Sequence, residues 1–412
     1  MATVPETMEV ELLTLVYGGD AMGRLPDGRA VFVPYGLPGE RVRLRLGEQK
    51  KGFARGMLLE VLKPSPDRIQ PPFEHIAQCG GCNYAHMTYP AQLAAKTAIV
   101  RDQLQRIAGL KEPPVAEIRP SPAEWHYRNA AQFHLTPEGK IGFQGSGTHN
   151  VFPITECMLC EPAINEILPM LDFEAVPGID RLQIRAGAAD EILLVIESED
   201  LVAPDLTVDL DVSVVFQGPE GVPPIVMAGD DHLIMEAMGR PFKVSAGSFF
   251  QVNTRQAENM VRYLLEELPE RTGTLLELYS GVGLFSAFLA PRVERLVANE
   301  AAPSAIDDFA VNLDEFDNVE IYDGPAEEVL PHLDLRPDVV VVDPPRAGLA
   351  VPALDALAKE EAPLLAYISC DPATLARDAK RLLAAGYTLR STQPFDMFPQ
   401  TYHIESISVF ER

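Results

Sequence analysis

The fold is decided by the stretch Leu275-Leu-Glu-Leu-Tyr-Ser-Gly-Val-Gly-Leu-Phe285, in which an apolar run leads into a glycine-rich turn. The apolar run predicts a buried strand, and Gly281 and Gly283 predict a turn at which the backbone approaches a ligand closely. Glu300 ends the next predicted strand about 20 residues later, where nucleotide-binding sheets hold ribose hydroxyls with a carboxylate. The third glycine of the dinucleotide pattern is missing, because Ser286 stands in its place. The pattern therefore suits S-adenosylmethionine as well as NAD, with a purely structural turn as the alternative.

Alternating strands and helices surround this stretch from about residue 249 to the C-terminus. A helix is predicted over residues 254–268, and buried strands are predicted over residues 295–300, 338–343 and 363–369. The alternation predicts a doubly wound α/β domain with a mostly parallel sheet in residues 246–412. Such sheets bind their ligands at the carboxyl ends of the strands, so residues at those ends are the candidates for chemistry.

Two further side chains follow predicted strands at that edge. Asp343 precedes two prolines, which cannot continue a strand ladder. Cys370 follows the strand 363–369, and Asp371 with Pro372 suits the cap and first turn of the next helix. A lone cysteine in an apolar strand is usually a core residue. Its position at the ligand edge favours a nucleophile instead.

The first 63 residues alternate apolar and polar side chains over short stretches separated by turn signals. About five strands of this kind predict a small β-barrel of the oligonucleotide-binding type. In the predicted strand 41–46, Arg41, Arg43 and Arg45 share one face because side chains alternate along a strand. This basic segment is a candidate RNA contact, with an ordinary solvated surface as the alternative. The net charge of the whole chain argues against an RNA partner, since 34 Lys and Arg against 60 Asp and Glu give −26.

Residues 64–245 read as a β-rich central domain. A helix is predicted over about residues 90–108, with an apolar face that includes Leu93, Ala98 and Leu104, and we expect it to pack on the C-terminal domain. Four of the five cysteines form two CxxC pairs, at positions 79, 82, 157 and 160. An odd cysteine count argues against a disulfide framework, and the CxxC spacing is typical of metal ligands.

The chain ends and the apolar runs bear on location. The N-terminus lacks the basic start and apolar core of a secretory signal, and no apolar run approaches the roughly 20 residues of a membrane span. We therefore expect a cytoplasmic protein without membrane contact. Nothing in the sequence demands a dimer, so we expect a monomer.

The order of five motifs resembles the RNA (uracil-5-)-methyltransferases. The motifs are Gln251-Val-Asn253, Glu277-Leu-Tyr-Ser-Gly-Val-Gly283, Asp343-Pro-Pro-Arg346, Ser369-Cys-Asp-Pro372 and Phe398-Pro-Gln-Thr-Tyr-His-Ile-Glu405. The resemblance covers most of the chain and extends to a TRAM-like barrel in residues 1–63 and a Cys-Gly-Gly-Cys loop at residues 79–82. It implies a Rossmann-like class I methyltransferase domain that uses S-adenosylmethionine to methylate carbon 5 of a uridine.

The resemblance also implies roles for individual residues. Cys370 would add to carbon 6 of uracil, because carbon 5 is otherwise a poor nucleophile, and Glu405 would remove the proton from carbon 5. Phe249 and Arg128 match positions near the target base, which must leave its stack to reach the thiol. The positions that hold S-adenosylmethionine correspond to Gln251, Tyr279, Glu300 and Asp343, beside the turn glycines Gly281 and Gly283.

The cysteines depart from the family pattern. Cluster-bearing members bind 4Fe–4S through Cys-x5-Cys-x2-Cys and a distant fourth cysteine, but Phe73 occupies the first of these positions here. The set that remains is Cys79, Cys82, Cys157 and, as a replacement for the missing ligand, Cys160. Four thiolates suit a 4Fe–4S cluster, with zinc or no metal as alternatives. Pro325 is a second departure, at a position where many methyltransferases have an acid near the adenine.

The resemblance favours 23S ribosomal RNA as the partner, because its barrel and cysteine loop resemble the ribosomal enzymes more than the transfer RNA enzymes, which lack both. Three alternatives stay open: transfer RNA uracil-5 methylation, methylation of an amino group, and a non-catalytic protein that binds RNA or senses redox state. Arg346 after the prolines argues against an amino-group acceptor, where an aromatic residue is expected. Intact Cys370 and Glu405 argue against a non-catalytic protein.

Overall fold

The computed structural model describes residues 7–73, 79–145, 150–171, 173, 179, 181–205, 207–219 and 221–412. The first six residues of the predicted barrel and Glu74 lie outside the described residues. The strands are β1 Thr7–Leu15, β2 Ala21–Arg24, β3 Ala30–Val33, β4 Arg41–Gln49, β5 Phe53–Lys63, β6 Ala130–Leu135, β7 Ile141–Gln144, β8 Val151–Pro153, β9 Arg181–Ala186, β10 Ile192–Glu197, β11 Ser213–Gln217, β12 Ile225–Ala228, β13 His232–Ala237, β14 Arg240–Ser245, β15 Thr272–Leu278, β16 Val293–Glu300, β17 Val319–Asp323, β18 Val339–Val342, β19 Leu364–Ser369, β20 Thr388–Phe395 and β21 Glu405–Glu411. The α-helices are α1 Tyr89–Gln103, α2 Pro162–Ile167, α3 Thr254–Glu267, α4 Ser286–Leu289, α5 Pro303–Asn312, α6 Ala326–Val329, α7 Val351–Lys359 and α8 Pro372–Ala384.

Strands β1 to β5 close into a barrel in the order β1-β2-β3-β5-β4, as the N-terminal pattern predicts. Along β4, Val42 and Leu44 point into the barrel, and Arg41 and Arg43 point outward. These arginines form ion pairs with acidic residues of neighbouring strands: Arg41 with Glu9, and Arg43 with Glu9 and Glu60. Much of the basic face that the sequence suggests for RNA is thus neutralised within the barrel.

Helix α1 forms where the sequence predicts it and continues as a π-helical turn over Leu104–Ala108. The predicted apolar face is only partly confirmed, since Val100 and Leu104 are fully buried but other predicted members are not. Ala98 is exposed and Leu93 only half-buried, whereas Gln92 and Lys96 are fully buried. The apolar side chains of Ile99 and Val100 pack into one core with the barrel and one face of the C-terminal sheet. The helix therefore buries polar side chains that a hydrophobic pattern cannot reveal.

The central region contains a seven-stranded sheet in the order β12-β11-β10-β9-β6-β7-β8. Adjacent strands of this sheet are antiparallel, except for the parallel pair β10–β11. The hairpin β13–β14 stands apart from this sheet, and its buried side chains Leu233 and Phe242 share a core with Leu275 and Val339 of the C-terminal sheet. The domain boundaries at residues 63 and 245 remain predictions.

The C-terminal sheet has seven strands in the order β17-β16-β15-β18-β19-β21-β20. The first five are parallel, and β21 runs antiparallel to both of its neighbours. Helices alternate with the strands, which confirms the predicted Rossmann-like class I fold. In the part of the chain that the structure describes, none of the helices combines the length and apolar character of a membrane span.

Candidate active site

A cavity of about 550 Å³ opens at the carboxyl ends of β15, β16, β18 and β19. It is lined by most of the residues that the sequence singled out: Phe249, Gln251, Tyr279, Gly281, Glu300, Asp343, Cys370 and Glu405. Arg346, Phe398 and His403 from the same motifs also line it. The doubly wound topology brings these residues together, because parallel strands end at one edge of the sheet.

The turn after β15 carries the strain expected at a ligand-binding loop. Tyr279 has φ of +61°, which is uncommon for a non-glycine residue and indicates that the surroundings hold the turn in shape. Gly281 has φ of +55°, and a Cβ there would meet nothing within 4 Å. Gly283, in contrast, packs against Leu313, since a Cβ at position 283 would lie only 2.3 Å from Leu313 Cδ1. Gly281 thus lies at the cavity, and Gly283 allows close packing behind it.

The carboxylate of Glu300 is fixed by backbone amides at the end of β16. Oε2 accepts a hydrogen bond from Gly281 N at 2.8 Å, and Oε1 accepts from Ala301 N and Ala302 N at 2.7 and 2.9 Å. These bonds join the acid to the glycine turn and hold its orientation through backbone amides. A carboxylate oxygen has lone pairs left over for a ligand hydroxyl.

Asp343 lies beside this acid at the end of β18. Burial and the neighbouring negative charge of Glu300 raise the pKa of Asp343 to about 7. Two carboxyl groups that share a partly enclosed site resist simultaneous ionisation. A cationic ligand would relieve this repulsion, so the site is electrostatically suited to one.

Cys370 follows β19 and is half-buried. Asp371 caps helix α8 as predicted, since its Oδ1 accepts hydrogen bonds from Ala373 N and Thr374 N, both at 2.9 Å. Its other oxygen accepts a hydrogen bond from Tyr17 of the barrel at 2.6 Å. The barrel therefore contacts the residue next to the candidate nucleophile.

The candidate nucleophile and base lie in an acidic environment. Burial, then the charges of Glu405 and Asp343, raise the pKa of the Cys370 thiol to about 12, and Arg346 opposes this. Burial and Asp343 raise the pKa of Glu405 well above its usual range, again against the effect of Arg346. The residues do not favour a resting thiolate by themselves, so their activation depends on positive charge brought by ligands or on alkaline pH.

The segment Ser245–Gln251 carries Phe249 and Gln251 and is held from two sides. The guanidinium of Arg185 on β9 donates to the carbonyls of Ser245, Ala246 and Ser248 at 3.0, 2.9 and 2.7 Å. The buried carboxylate of Asp308 on α5 accepts from Ser245 N, Ser245 Oγ and Ser248 Oγ at 2.6–2.8 Å. This two-sided clamp leaves the Phe249 side chain 67% exposed at the cavity.

Arg128 lies outside this cavity, in an adjoining groove of about 670 Å³ that shares His403 with it. The Arg128 guanidinium lies 5.8 Å from the ring centre of Phe398, within the range of a cation–π contact. The next residue, Asn129, donates from Nδ2 to the carbonyl of Gln251 at 2.9 Å. Arg128 is therefore near the cavity mouth and not inside it.

The four candidate metal ligands lie in one region behind Arg128. Cys79, Cys82 and Cys157 line a second cavity of about 600 Å³ together with Phe73, and a hydrogen bond links the thiols of Cys157 and Cys160. Asn165 holds the second pair through Cys157 N, Cys157 O and Cys160 O. Across the described ranges, no three His, Cys, Asp or Glu side chains are arranged as a ready-made metal site.

Known proteins match this chain along its whole length. A family model described as tRNA (Uracil-5-)-methyltransferase matches residues 230–412, and a TRAM domain model matches residues 2–59. An uncharacterized RNA methyltransferase of Streptomyces coelicolor is 32% identical over 431 residues, which cover 100% of this chain and 94% of that protein. The chain belongs to the RNA (uracil-5-)-methyltransferase family. An uncharacterized RNA methyltransferase of Aquifex aeolicus is 34% identical to this uracil-5 methyltransferase, over 96% of each chain.

A solved structure extends the likeness to the complete fold of this RNA (uracil-5-)-methyltransferase. It is described as Pyrococcus abyssi tRNA (uracil-54, C5)-methyltransferase in complex with S-adenosyl-L-homocysteine. The two chains are 25% identical, superpose with a TM-score of 0.74, and are covered to 98% here and 100% there. The likeness includes the barrel and the central domain, because so little of either chain is left unmatched.

Sequence reasoning missed the supports of the site in this methyltransferase. Tyr17, Arg185 and Asp308 lie far from the motifs along the chain, and each acts through a contact that only the fold creates. It also missed much of the cavity wall, namely Gly247, Phe250, Leu284, Phe285, Ala302 and Ala305. Most of these residues directly follow or flank motif residues, so adjacency to the motifs is the one signal that points to them.

Proposed function

We propose that this RNA (uracil-5-)-methyltransferase acts through a covalent bond between the Cys370 sulfur and carbon 6 of a uracil in 23S ribosomal RNA. The observation that carries the proposal is that Cys370 and Glu405 line one cavity with Glu300 and Asp343. The strand pairing supports it, because Ser369 pairs with Ser406 across β19 and β21. Extending that register by one residue brings Cys370 opposite Glu405, so that nucleophile and base are neighbours.

The cavity suits S-adenosylmethionine as the methyl donor. Glu300 has a carboxylate held at the glycine turn, as ribose recognition requires, and Asp343 and Glu300 repel each other until a cation arrives. Gln251 and Tyr279 would complete the binding surface. When bound, S-adenosylmethionine supplies an electrophilic methyl group on a positively charged sulfur. That charge would also lower the pKa values of the surrounding acids and thiol.

The proposed sequence of steps uses Cys370 first and Glu405 last. The Cys370 thiolate adds to carbon 6, and the electrons of the 5,6 double bond move towards carbon 5 and the carbonyl at carbon 4. Carbon 5 then forms its bond to the methyl carbon, and the donor sulfur leaves with its electron pair. Glu405 takes the proton from carbon 5, and the electrons of that bond re-form the double bond as the carbon 6 to sulfur bond breaks. Cys370 is regenerated, and Glu405 passes its proton to solvent.

Two RNAs are candidates. The Cys79–Cys82 loop supports 23S ribosomal RNA through its resemblance to the ribosomal enzymes. Transfer RNA is the second candidate, because the Pyrococcus abyssi enzyme described as a tRNA methyltransferase matches this chain almost end to end. A barrel therefore does not separate the two RNA classes. Incubation of each unmodified RNA with enzyme and donor, followed by nucleoside mass spectrometry, decides between them.

We also propose that Cys79, Cys82, Cys157 and Cys160 hold a 4Fe–4S cluster. Cys79, Cys82 and Cys157 line one cavity, and the Cys160 thiol is hydrogen-bonded to that of Cys157, which supports this. Phe73 at the cavity wall leaves Cys160 as the fourth sulfur ligand. The test is to measure iron, acid-labile sulfide and zinc in protein purified without oxygen, with Cys82→Ser as the comparison. About four irons and four sulfides per chain support the cluster. One zinc, or no metal, contradicts it.

A further inference from the structure

The loop Asp396–Ile404 connects β20 to β21 and carries Phe398 and His403 into the cavity before the chain reaches Glu405. The loop belongs to the C-terminal domain by sequence, yet many of its polar contacts come from residues 83–127. Tyr402 N donates to Asn83 Oδ1 at 3.3 Å, and Tyr127 Oη donates to the carbonyl of Pro399 at 3.0 Å. The geometry of the catalytic loop is therefore set largely by a neighbouring part of the fold.

Lys96 on α1 makes the shortest of these contacts. Its Nζ donates to Asp396 Oδ1 at 2.6 Å and to the carbonyl of Phe398 at 2.9 Å. Both charged side chains are fully buried, with 0% exposure. Burial lowers the pKa of Lys96, and the carboxylate of Asp396 opposes that shift. A single ammonium group thus fixes both the start of the loop and the backbone of a cavity residue.

Gln92, one turn earlier on the same helix, holds the middle of the loop. Its Nε2 donates to Gln400 Oε1 at 2.8 Å, and its Oε1 accepts from Gln400 N at 2.9 Å. Tyr84 N donates to the carbonyl of Gln400 at 2.9 Å. Gln400 has φ of +66°, an uncommon value for a non-glycine residue. The surrounding hydrogen bonds therefore impose a backbone shape that the loop would not adopt alone.

Stability does not explain this arrangement. Desolvation of two charges offsets most of their attraction, so an apolar pair of similar size would join helix and loop at least as well. Apolar packing of α1 is already supplied by Ile99, Val100 and Leu104. What the polar contacts add is direction, because hydrogen bonds fix the orientation of the loop where apolar contacts would tolerate sliding.

We propose that Lys96 and Gln92 are positioning residues of the methyl-transfer reaction, which hold the Asp396–Ile404 loop so that Phe398, His403 and Glu405 face the target base. This role rests on the proposed function. Since misplacement of reacting groups by about 1 Å costs up to about 100-fold in rate, small loop shifts are enough to impair turnover. The donor contacts at Glu300 and Gln251 lie on other elements and should be spared.

The test compares Lys96→Met with the double variant Lys96→Met/Asp396→Leu. The single variant leaves Asp396 buried without its partner, so its Tm should fall. The double variant removes both charges, and its Tm should return close to that of the wild type. We expect kcat of the double variant to remain at least about tenfold reduced, with the KM for S-adenosylmethionine within about twofold of the wild-type value. Arg106→Met is the matched control. It breaks an exposed ion pair between Arg106, just beyond α1, and Asp102. This variant should leave Tm, kcat and KM unchanged.

Recovery of both Tm and kcat in the double variant overturns the proposal, since the pair would then be only structural. If the charged-pair variants do not fold, Gln92→Met tests the positioning role without leaving an unpaired charge buried. A loss of kcat with unchanged donor KM supports positioning, and full activity contradicts it. Absence of 5-methyluridine from wild-type reactions would instead contradict the proposed function. Failure of the proposed function is therefore distinguishable from failure of the positioning role.

Discussion

At the residue scale, the proposed mechanism assigns the chemistry to Cys370 and Glu405, and both would have to lose a proton before they act. Their pKa values are raised by the same causes, burial and neighbouring acids. In the proposed mechanism, the positive charge of the donor would therefore have a second role, the activation of the thiol. This interpretation links cofactor binding to nucleophile formation without a separate activating histidine, since burial and nearby cations lower the pKa of His403 to about 4.

The first prediction concerns pH. The thiol pKa is raised to about 12, so the thiolate fraction grows about tenfold for each pH unit below that value. The base also gains its active form as pH rises. We therefore expect kcat/KM for RNA to increase steadily from pH 6 to pH 9, measured by methyl incorporation. A rate that is already constant from pH 6 upward would show that the thiol ionises far more easily than its surroundings suggest.

The second prediction concerns Glu405→Gln. The amide keeps the shape of the side chain but cannot accept the proton from carbon 5. Cys370 should then still add to carbon 6 and the methyl group should still transfer, but the enzyme should stay bound to its product. We expect an RNA–protein adduct that survives denaturing electrophoresis and a kcat at least about 100-fold lower, in line with the loss of a general base. Normal turnover by this variant would remove Glu405 from the mechanism.

At the scale of elements, the strands that end at the cavity and helices α1, α3 and α8 were predictable because their patterns are local. The glycine turn, the strand ends and helix α3 lie where the sequence indicates them. Helix α1 was predicted in position but with only part of its buried face, because Lys96 and Gln92 are buried by partners about 300 residues away in the chain. Long-range polar contacts of this kind have no periodic signature.

The candidate site follows the same rule. Residues inside motifs, such as Asp343 and Cys370, could be assigned to the ligand edge from the strand pattern alone. Arg185 could not be assigned to the site, because nothing in its local sequence distinguishes it from other strand arginines. Only the fold places the Ser245 and Ser248 carbonyls beside it. Sequence thus predicted the candidate ligand contacts better than the residues that support them.

The third prediction concerns this clamp. Arg185→Met removes charge-assisted hydrogen bonds to three carbonyls and should destabilise the protein by about 2–4 kcal/mol. Phe249 and Gln251 would lose their support, so KM for both donor and RNA should rise several-fold. Arg181→Met, on the same strand but in an exposed pair with Glu197, is the control and should leave Tm and KM unchanged. Identical behaviour of the two variants, in calorimetry and steady-state kinetics, would contradict the clamp.

At the scale of the whole molecule, the three regions meet around the groove of about 670 Å³ that adjoins the cavity, since residues of the barrel, the central region and the C-terminal domain all line that groove. Tyr17 of the barrel donates a hydrogen bond to Asp371 beside Cys370, and the Arg128 guanidinium of the central region lies 5.8 Å from the ring centre of Phe398. A chain with a net charge of −26 must nevertheless bind RNA, and several arginines of the barrel are already paired with acids. RNA recognition is therefore expected to depend on local contacts around the cavity mouth more than on overall charge.

The most direct test of the central claim is nucleoside mass spectrometry on unmodified 23S ribosomal RNA and unmodified transfer RNA, each incubated with S-adenosylmethionine and either wild type or Cys370→Ala. Binding of S-adenosylhomocysteine and an unchanged Tm would show that the variant is folded. The account predicts 5-methyluridine with the wild type alone, and the RNA that gains it identifies the substrate. Formation of 5-methyluridine by Cys370→Ala at a comparable rate would contradict the covalent mechanism. If the wild type binds the donor but neither RNA gains 5-methyluridine, both proposed substrates are contradicted.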